Sequence, residues 1–214
     1  MRKRRNLFSI LIAGGVTLAG IVVFGFTLVH AVIYAPDDGG GPSTVQAQTV
    51  PKISSAKAGA MTSVPAELPS RLQIPSLSID AHVQDVGTNS AGNMSAPSNF
   101  TDVAWYKYGA KPGQLGSAVI AGHVDNGLSL AGVFKHLTDI KTGADIYIVT
   151  ASGKKLHFVV TSVDSVDYKD APTQEIFEEN DKAYLKLLTC TGDWVPGDRT
   201  YDHRLIVTAV LAQA

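Results

Sequence analysis

The distribution of apolar and polar residues divides the chain into three parts. Residues 7–35 are mostly apolar and contain no Asp, Glu, Lys or Arg. Residues 36–68 are rich in Gly, Pro, Ser, Thr and Ala and have no sustained hydrophobic period. From residue 69 onward, short apolar segments alternate with turn residues, which predicts many β-strands and little helix. We therefore expect a mainly β domain, either a closed barrel or a sandwich.

Three patterns in the third part predict particular strands. Residues 118–120 are continuously apolar, as in a strand that is buried on both faces. Residues 144–150 and 155–163 alternate on either side of a Gly-containing turn, which predicts a hairpin. Residues 72–74 and 77–79 alternate around Pro75, which suits an edge strand or a strand start.

Helix is predicted at only two places. Val133 to Leu137 could form a helical turn, and Thr173 to Glu178 follows a proline that can start one. Neither segment is long enough to organise a helical core.

The N-terminal apolar run is long enough to cross a bilayer with some tilt. Four basic residues at positions 2–5 precede it and predict that this end stays in the cytoplasm. A cleaved signal peptide is the alternative, but bulky residues in 30–35 make a poor cleavage site. We expect a cytoplasmic tip and transmembrane signal-anchor over 1–35, a flexible stalk over 36–68, and an extracellular domain over 69–214.

The charge balance narrows the class of partner. The chain has 18 basic and 19 acidic residues, and four of the basic ones precede the membrane run. The outer part therefore carries 14 basic and 19 acidic residues, a net charge of −5. This charge argues against nucleic acid or an anionic membrane surface as the main partner.

Cys190 is the only cysteine and ends an apolar run that begins at Ala183. It cannot form an internal disulfide, so it is either a small buried hydrophobe or a nucleophile. His123 ends another apolar strand, and Arg204 opens a third. Thiol, imidazole and guanidinium at strand ends are the components of a cysteine acyl-transfer site.

Each of these three groups has a chemical role in such a reaction. The Cys190 thiolate attacks a peptide carbonyl, and His123 gives the leaving amine its proton near neutral pH. Arg204 can hold the substrate and, with the backbone N–H after the cysteine, stabilise the oxyanion. Arg199 is the competing guanidinium, but Asp198-Arg199 in a Pro-Gly-Asp turn is typical of a surface charge pair.

Four neighbouring residues are further candidates. Asp125 could position His123 or the adjacent loop, and Thr189 and Thr191 flank the cysteine as substrate-binding or positioning residues. His123 and Asp125 could also form part of a metal site, but a third ligand with matching spacing is missing. We expect no cofactor, and a structural calcium site stays open. His203 adjoins Arg204 and is a minor catalytic candidate.

These segments resemble the sortase family, the cysteine transpeptidases of Gram-positive surfaces. The resemblance covers roughly residues 72–211. The catalytic motifs are Ala-Gly-His at 121–123, Leu-Leu-Thr-Cys at 187–190 and Arg-x-Ile-x-x-Ala from Arg204, and residues 74–81 look like the family's first barrel strand. Features that look like its class F branch are Trp105-Tyr106, Gly109, Pro112-Gly113 and Gly116-Ser117-Ala118-Val119.

The resemblance implies a closed eight-stranded barrel and the same division of roles among Cys190, His123 and Arg204. It also implies a thioester acyl-enzyme, formed by cleavage of a Leu-Pro-x-Thr-Gly-like sorting signal after the threonine. The acceptor would be a cell-wall precursor or a pilin amine, and the substrates would be proteins with a C-terminal sorting signal.

Two other functions fit part of the pattern. An L,D-transpeptidase-like enzyme is also a strand-rich cysteine acyl-transfer protein, but it has a histidine close before its cysteine, whereas His123 and Cys190 are 67 positions apart. A non-catalytic anchored β-domain that binds wall or host ligands is the second. An inert thiol at Cys190 would favour that reading.

Overall fold

The computed structural model describes residues 67–126, 128 and 130–212. These residues form eight strands and one short helix, which we label in chain order. They are β1 (Pro69–Ile74), β2 (Ile79–Val86), β3 (Val103–Tyr106), β4 (Gly116–Gly122), β5 (Asp145–Thr150), β6 (Lys155–Asp167), α1 (Thr173–Phe177), β7 (Ala183–Val195) and β8 (Thr200–Leu211).

The strands close into a barrel in the order β1-β2-β3-β4-β7-β8-β6-β5, and β5 pairs back onto β1. The pairs β2–β3 and β4–β7 are parallel, and the other six pairs are antiparallel. This architecture confirms the mainly β, eight-stranded barrel that the sequence and the resemblance predicted.

Alternation along the strands separates two apolar clusters. The larger cluster fills the barrel and takes every second residue of the central strands, for example Leu185 and Leu187 of β7. The residues between them face outward, and there a second cluster forms against the β6–β7 connection that carries α1. We call it the outer cluster; its buried members are Met94, Tyr106, Val119, Ile176, Leu188 and Ile206.

The structure confirms the β5–β6 hairpin and places α1 where the sequence predicted a turn after Pro172. The other predicted turn is displaced, because the 3₁₀ turn covers Leu137–Asp139 rather than residues 133–137. Among the residues that the structure describes, no helix combines the length and apolar character needed to cross a bilayer. The predicted anchor and almost all of the predicted stalk lie outside the described residues.

The prediction of one strand around Pro75 is wrong. Pro75–Leu77 form a 3₁₀ turn between β1 and β2, and Ile74 pairs with Ile79 across it. Pro75 has no N–H to give to a ladder, and Ser78 reverses the chain with a φ of 54°. The segment 74–81 is therefore a strand–turn–strand connection.

The strand ends predicted at the site are also wrong. β7 continues five residues beyond Cys190, and β8 begins four residues before Arg204. The added residues are largely polar on both faces, so they carry no hydrophobic alternation. They pair with each other from Thr191↔His203 to Val195↔Thr200, which extends the hairpin beyond the barrel core.

Candidate active site

Strand pairing places three reactive side chains next to one another. Cys190 of β7 lies directly opposite Arg204 of β8. On its other side, β7 runs parallel to β4, with Leu188 opposite Ala121. β4 ends at Gly122, and the same register continued to the next residue brings His123 level with Cys190. The parallel register thus brings together two residues that are far apart in sequence.

We call His123, Cys190 and Arg204 the row. The face of the barrel on which the row lies follows from the alternation of side chains along each strand. Each member of the row has an apolar neighbour two positions away on its own strand or its extension: Leu188 for Cys190, Ile206 for Arg204 and Ala121 for His123. All three neighbours belong to the outer cluster or pack against it. Side chains two positions apart on a strand share a face. Cys190 and Arg204 therefore lie on the outer face of the barrel, beside the outer cluster.

The imidazole of His123 is fixed by the loop before β3. Its Nε2 lies 3.0 Å from the carbonyl oxygen of Pro97, and its ring centroid lies 4.9 Å from that of Phe100. A carbonyl oxygen only accepts, so Nε2 carries a hydrogen in this arrangement. Proton exchange with a reacting group is then left to Nδ1.

The two threonines that flank Cys190 differ in their surroundings. Thr189 is buried and donates from Oγ1 to the carbonyl oxygen of Gly122 at 2.9 Å, which joins β7 to the end of β4 just before His123. This contact makes Thr189 a residue that fixes the two strands. Thr191 is half-buried and pairs with His203.

Arg204 is almost fully buried, with 4% of its surface exposed. Its Nη1 donates to the carbonyl oxygens of Tyr201 and His203, both at 2.9 Å, and Nη2 donates to Thr200 Oγ1 at 2.8 Å. The guanidinium also lies 5.4 Å from the centre of the Tyr168 ring. These contacts fix the direction of the guanidinium fork.

Tyr201 is a site residue that the sequence did not reveal. Its hydroxyl donates to Asp125 Oδ2 at 2.6 Å, and Lys135 Nζ donates to the same oxygen at 3.1 Å. Burial raises the pKa of Tyr201, and the hydrogen bond to Asp125 and the negative charges of Asp125 and the Cys190 thiolate raise it further. Asp125 and Tyr201 are 76 positions apart, so no local pattern could show the contact.

The remaining candidates lie around this row. Arg199 is exposed in the β7–β8 turn, as expected of a surface residue. Its backbone has a φ of 52°. Its predicted partner Asp198 instead accepts a hydrogen bond from the Tyr168 hydroxyl at 2.5 Å. His203 Nδ1 pairs with Asp202 at 2.8 Å, next to the Cys190–Arg204 pair.

The described residues contain no group of three or more His, Cys, Asp or Glu side chains placed to hold a metal ion. The Asp125 carboxylate, the candidate partner of His123 in such a site, is instead directed at Tyr201 and Lys135. The row of thiol, imidazole and guanidinium can by itself carry nucleophilic attack and proton transfer.

Comparison with known proteins agrees with this architecture. The sequence matches the sortase domain over residues 72–212. A lid mutant of sortase A from Corynebacterium diphtheriae is similar at 25% identity and a TM-score of 0.54, with 69% of this chain and 71% of that chain covered. No curated protein matches the sequence.

Two further solved structures share the fold. Sortase C-1 from Actinomyces oris is 23% identical with a TM-score of 0.52, covering 68% of this chain and 72% of that chain. Group B Streptococcus pilus island 1 sortase C2 is 24% identical with a TM-score of 0.52, covering 70% and 76%.

A closed eight-stranded barrel with a cysteine and an arginine paired on adjacent strands, and a histidine directly after the next strand, defines the class of protein. With the match over residues 72–212, the chain belongs to the sortase family, whose members are cysteine transpeptidases.

Proposed function

We propose that this chain is a single-pass membrane sortase of the class F type. It cleaves a Leu-Pro-x-Thr-Gly-like sorting signal after the threonine and joins the new acyl group to an amine. The observation that carries the proposal is the row of His123, directly after β4, with Cys190 on β7 and Arg204 on β8. The class F assignment rests on the sequence around Trp105, whose indole N–H donates to the carbonyl oxygen of Ala110.

In the first half-reaction, the Cys190 sulfur attacks the threonine carbonyl carbon and a tetrahedral oxyanion forms. The carbon–nitrogen bond then breaks, and His123 donates a proton to the departing amine nitrogen. The products are a thioester on Cys190 and a peptide with a new N-terminus. In the second half-reaction, the acceptor amine attacks the thioester, His123 takes the proton from nitrogen, and the cysteine sulfur leaves.

Arg204 is suited to the charge that develops in these steps. Its guanidinium is held by Thr200 and by backbone carbonyl oxygens of β8 before substrate arrives. A donor that is already oriented loses little free energy to reorganisation in the transition state. We assign Arg204 to the substrate carbonyl and its oxyanion, together with the backbone N–H of Thr191.

The outer cluster supports the site by packing. Leu188 and Ile206 lie on the face of Cys190, one side-chain row away from the thiol and the guanidinium, and both are buried. Close packing of these side chains fixes β7 and β8 next to the site residues.

Anchoring and partners follow from the sequence and from named relatives. The basic residues 2–5 and the apolar run after them support an N-terminus in the cytoplasm and an extracellular barrel. The acceptor is a cell-wall precursor amine. A pilin amine is the second candidate, since one similar structure is a sortase from a pilus island.

Kinetics on a fluorogenic sorting-signal peptide, with and without an amine acceptor, test the proposal. Cys190→Ala should abolish cleavage and transfer, and mass spectrometry of the wild type should detect a thioester on Cys190. His123→Ala should lower the rate by about 10²–10⁴-fold or more, since leaving-group protonation fails. Activity should survive a chelator. Normal turnover by Cys190→Ala, or a thiol that is inert to alkylation, would leave the non-catalytic β-domain as the better reading.

A further inference from the structure

The loop that follows His123 folds back onto the histidine backbone, and it carries the carboxylate of Asp125. The backbone N–H of Phe134 donates to the carbonyl oxygen of His123, and that of Gly132 donates to Val124, both at 2.9 Å. A Cβ on Gly132 would lie only 2.4 Å from the His123 oxygen, so the return strand of this loop packs directly on the histidine backbone. Asp125 forms a β-bridge with Ala131 within the loop. These contacts join residues 131–134 to the backbone of His123, Val124 and Asp125.

Tyr201 connects this loop to the strand that carries Arg204. The hydroxyl of Tyr201 donates to Asp125, and the carbonyl oxygen of Tyr201 accepts from Arg204 Nη1. One residue thus contacts both the loop of the general acid and the guanidinium. The Asp125 side chain is only 11% exposed, so water competes weakly for this hydrogen bond.

We infer that the Tyr201 hydroxyl, through Asp125, is a positioning group that holds His123 at the correct distance from Cys190. The inference rests on the proposed function, because it assigns a purpose to His123 as general acid. Tyr201 does not itself exchange a proton with substrate. Its effect is geometric, and a general acid displaced by about 1 Å can cost about 10²-fold in rate.

The choice of substrate separates this role from general damage to the fold. Cleavage of an amide requires His123 to protonate the leaving nitrogen. A peptide thioester with the same acyl part gives up a thiolate, which leaves without a proton because the pKa of a thiol is only about 8.5. Loss of His123 positioning should therefore slow acylation by the amide and spare acylation by the thioester.

The test measures the first-turnover burst of released leaving group with both substrates, using the full chain. Tyr201→Phe removes the hydroxyl and keeps the ring that packs edge-on against Trp194. We expect Tyr201→Phe and Asp125→Ala each to slow amide acylation by about 10–100-fold with thioester acylation nearly unchanged. The double variant should be no slower than either single one, because both remove the same contact.

Two further variants serve as controls. Asp125→Asn keeps an oxygen that can accept from Tyr201, so it should retain most of the amide activity. Tyr184→Phe removes a similar tyrosine–aspartate hydrogen bond, 2.9 Å to Asp181 at the far end of β7, and should leave both rates unchanged. Both tyrosines have a raised pKa from burial and an aspartate partner, which makes the pair well matched.

The outcomes separate the two claims. Equal slowing of both substrates by Tyr201→Phe, or slowing of neither, overturns the positioning role while Cys190-dependent bursts in the wild type uphold the proposed function. A wild type without any Cys190-dependent burst overturns the proposed function and the positioning role together.

Discussion

At the scale of single residues, Arg204 combines a proposed catalytic role with local structure. Three donor contacts of its guanidinium lie within β8, and Tyr168 covers its face from the end of β6. Removing the side chain leaves the Thr200 hydroxyl and two carbonyl oxygens without this donor, in a buried place. Arg204→Ala therefore changes both the rate of peptide cleavage and the stability of the fold. Arg204→Lys, which keeps the positive charge, helps to separate the two effects.

We predict that Arg204→Ala and Arg204→Lys both lose about 10²–10³-fold in activity, the typical cost of one oxyanion donor. Arg204→Ala should also unfold more easily, by about 1–3 kcal/mol, because buried acceptors lose their partner. Lysine keeps the charge but cannot donate through a planar fork. Peptide kinetics and urea unfolding measure the two effects.

Arg199 is the matched control, since its side chain is exposed in the turn of the same hairpin. Arg199→Ala should stay within a few-fold of wild type, because exposed charges contribute little. An inactive Arg199→Ala beside an active Arg204→Ala would reverse the assignment of the guanidinium.

The contact between His203 and Asp202 gives the stability of the fold a dependence on pH. The Asp202 carboxylate, 2.8 Å from His203 Nδ1, raises the pKa of His203 above its usual 6.5, and the imidazole lowers the pKa of Asp202 below its usual 3.8. A raised histidine pKa stabilises the fold below pH 6.5, and this stabilisation is lost as the pH rises through the folded-state value. The aspartate contribution is present above pH 3.8 and is lost in more acid solution.

We therefore predict that His203→Gln lowers the melting temperature more at pH 5.5 than at pH 8.5. Thermal melts of both proteins at the two pH values measure the difference. His157→Gln is the control, since His157 pairs with Asp145 on β5, away from the site. A melting difference that is the same at both pH values would show that the Asp202 contact does not contribute.

At the scale of elements, the β7–β8 hairpin contains an irregularity just after the nucleophile. The register shifts between Thr191 and Trp194, and Gly192 takes a φ of +86°. The Asp202 carboxylate accepts from the Asp193 N–H at 2.8 Å and occupies the space beside Gly192. Bulges of this kind strengthen the local twist and often lie beside active sites.

We predict that Gly192→Ala damages both stability and activity. Its Cβ would lie 2.0 Å from Asp202 Oδ1, so the carboxylate or the strand must move. Gly153→Ala is the matched control: Gly153 has a φ of +87° but nothing within 4 Å of an added Cβ. Gly153→Ala should cost about 1–2 kcal/mol of backbone strain.

Gly192→Ala should cost more than that and should also slow peptide cleavage by roughly 10²-fold, because a small displacement near the thiol is enough. Chemical unfolding and peptide kinetics on the two variants give the comparison. Equal stability losses and full activity in both would mean that the hairpin absorbs the clash.

Which elements the sequence could predict depends on whether their pattern is local. β4 and the β5–β6 hairpin were predicted correctly because apolar alternation and turn residues mark them. The outer ends of β7 and β8 were not, because Thr191–Val195 and Thr200–His203 are largely polar on both faces and are held by pairing with each other and by contacts such as Trp194 against Tyr201. Asp125 was a candidate from its position, but its partner Tyr201 became visible only once the barrel brought β8 beside the loop.

At the scale of the whole molecule, the barrel positions the site with respect to the rest of the chain. β1 begins at Pro69, immediately after the segment predicted to be a stalk. If residues 7–35 span the membrane with the basic end inside, the barrel lies on the outer side of the membrane. The orientation of the whole protein then follows from four basic residues at its N-terminus.

We predict that a membrane-impermeant protease added to intact, wall-stripped cells digests the chain from Pro36 onward. The physical reason is the basic cluster at 2–5, because basic residues beside an apolar span favour the cytoplasmic side of the membrane. A cytoplasmic protein should stay intact in the same cells, and lysed cells should lose both. Full protection of the barrel in intact cells would contradict the orientation.

The parallel pairing of β4 with β7 also sets the order in which the site is completed during folding. Cys190 and Arg204 meet within one hairpin, 14 positions apart, whereas Thr189 meets Gly122 across 67 positions. Contacts between distant parts of a chain close later than local ones, because more chain entropy is lost. A chain that has formed only the β7–β8 hairpin holds its nucleophile beside a guanidinium but lacks a proton donor. The thiol therefore gains the proposed transferase chemistry only when the barrel closes, so a half-folded chain should not be acylated by passing peptides.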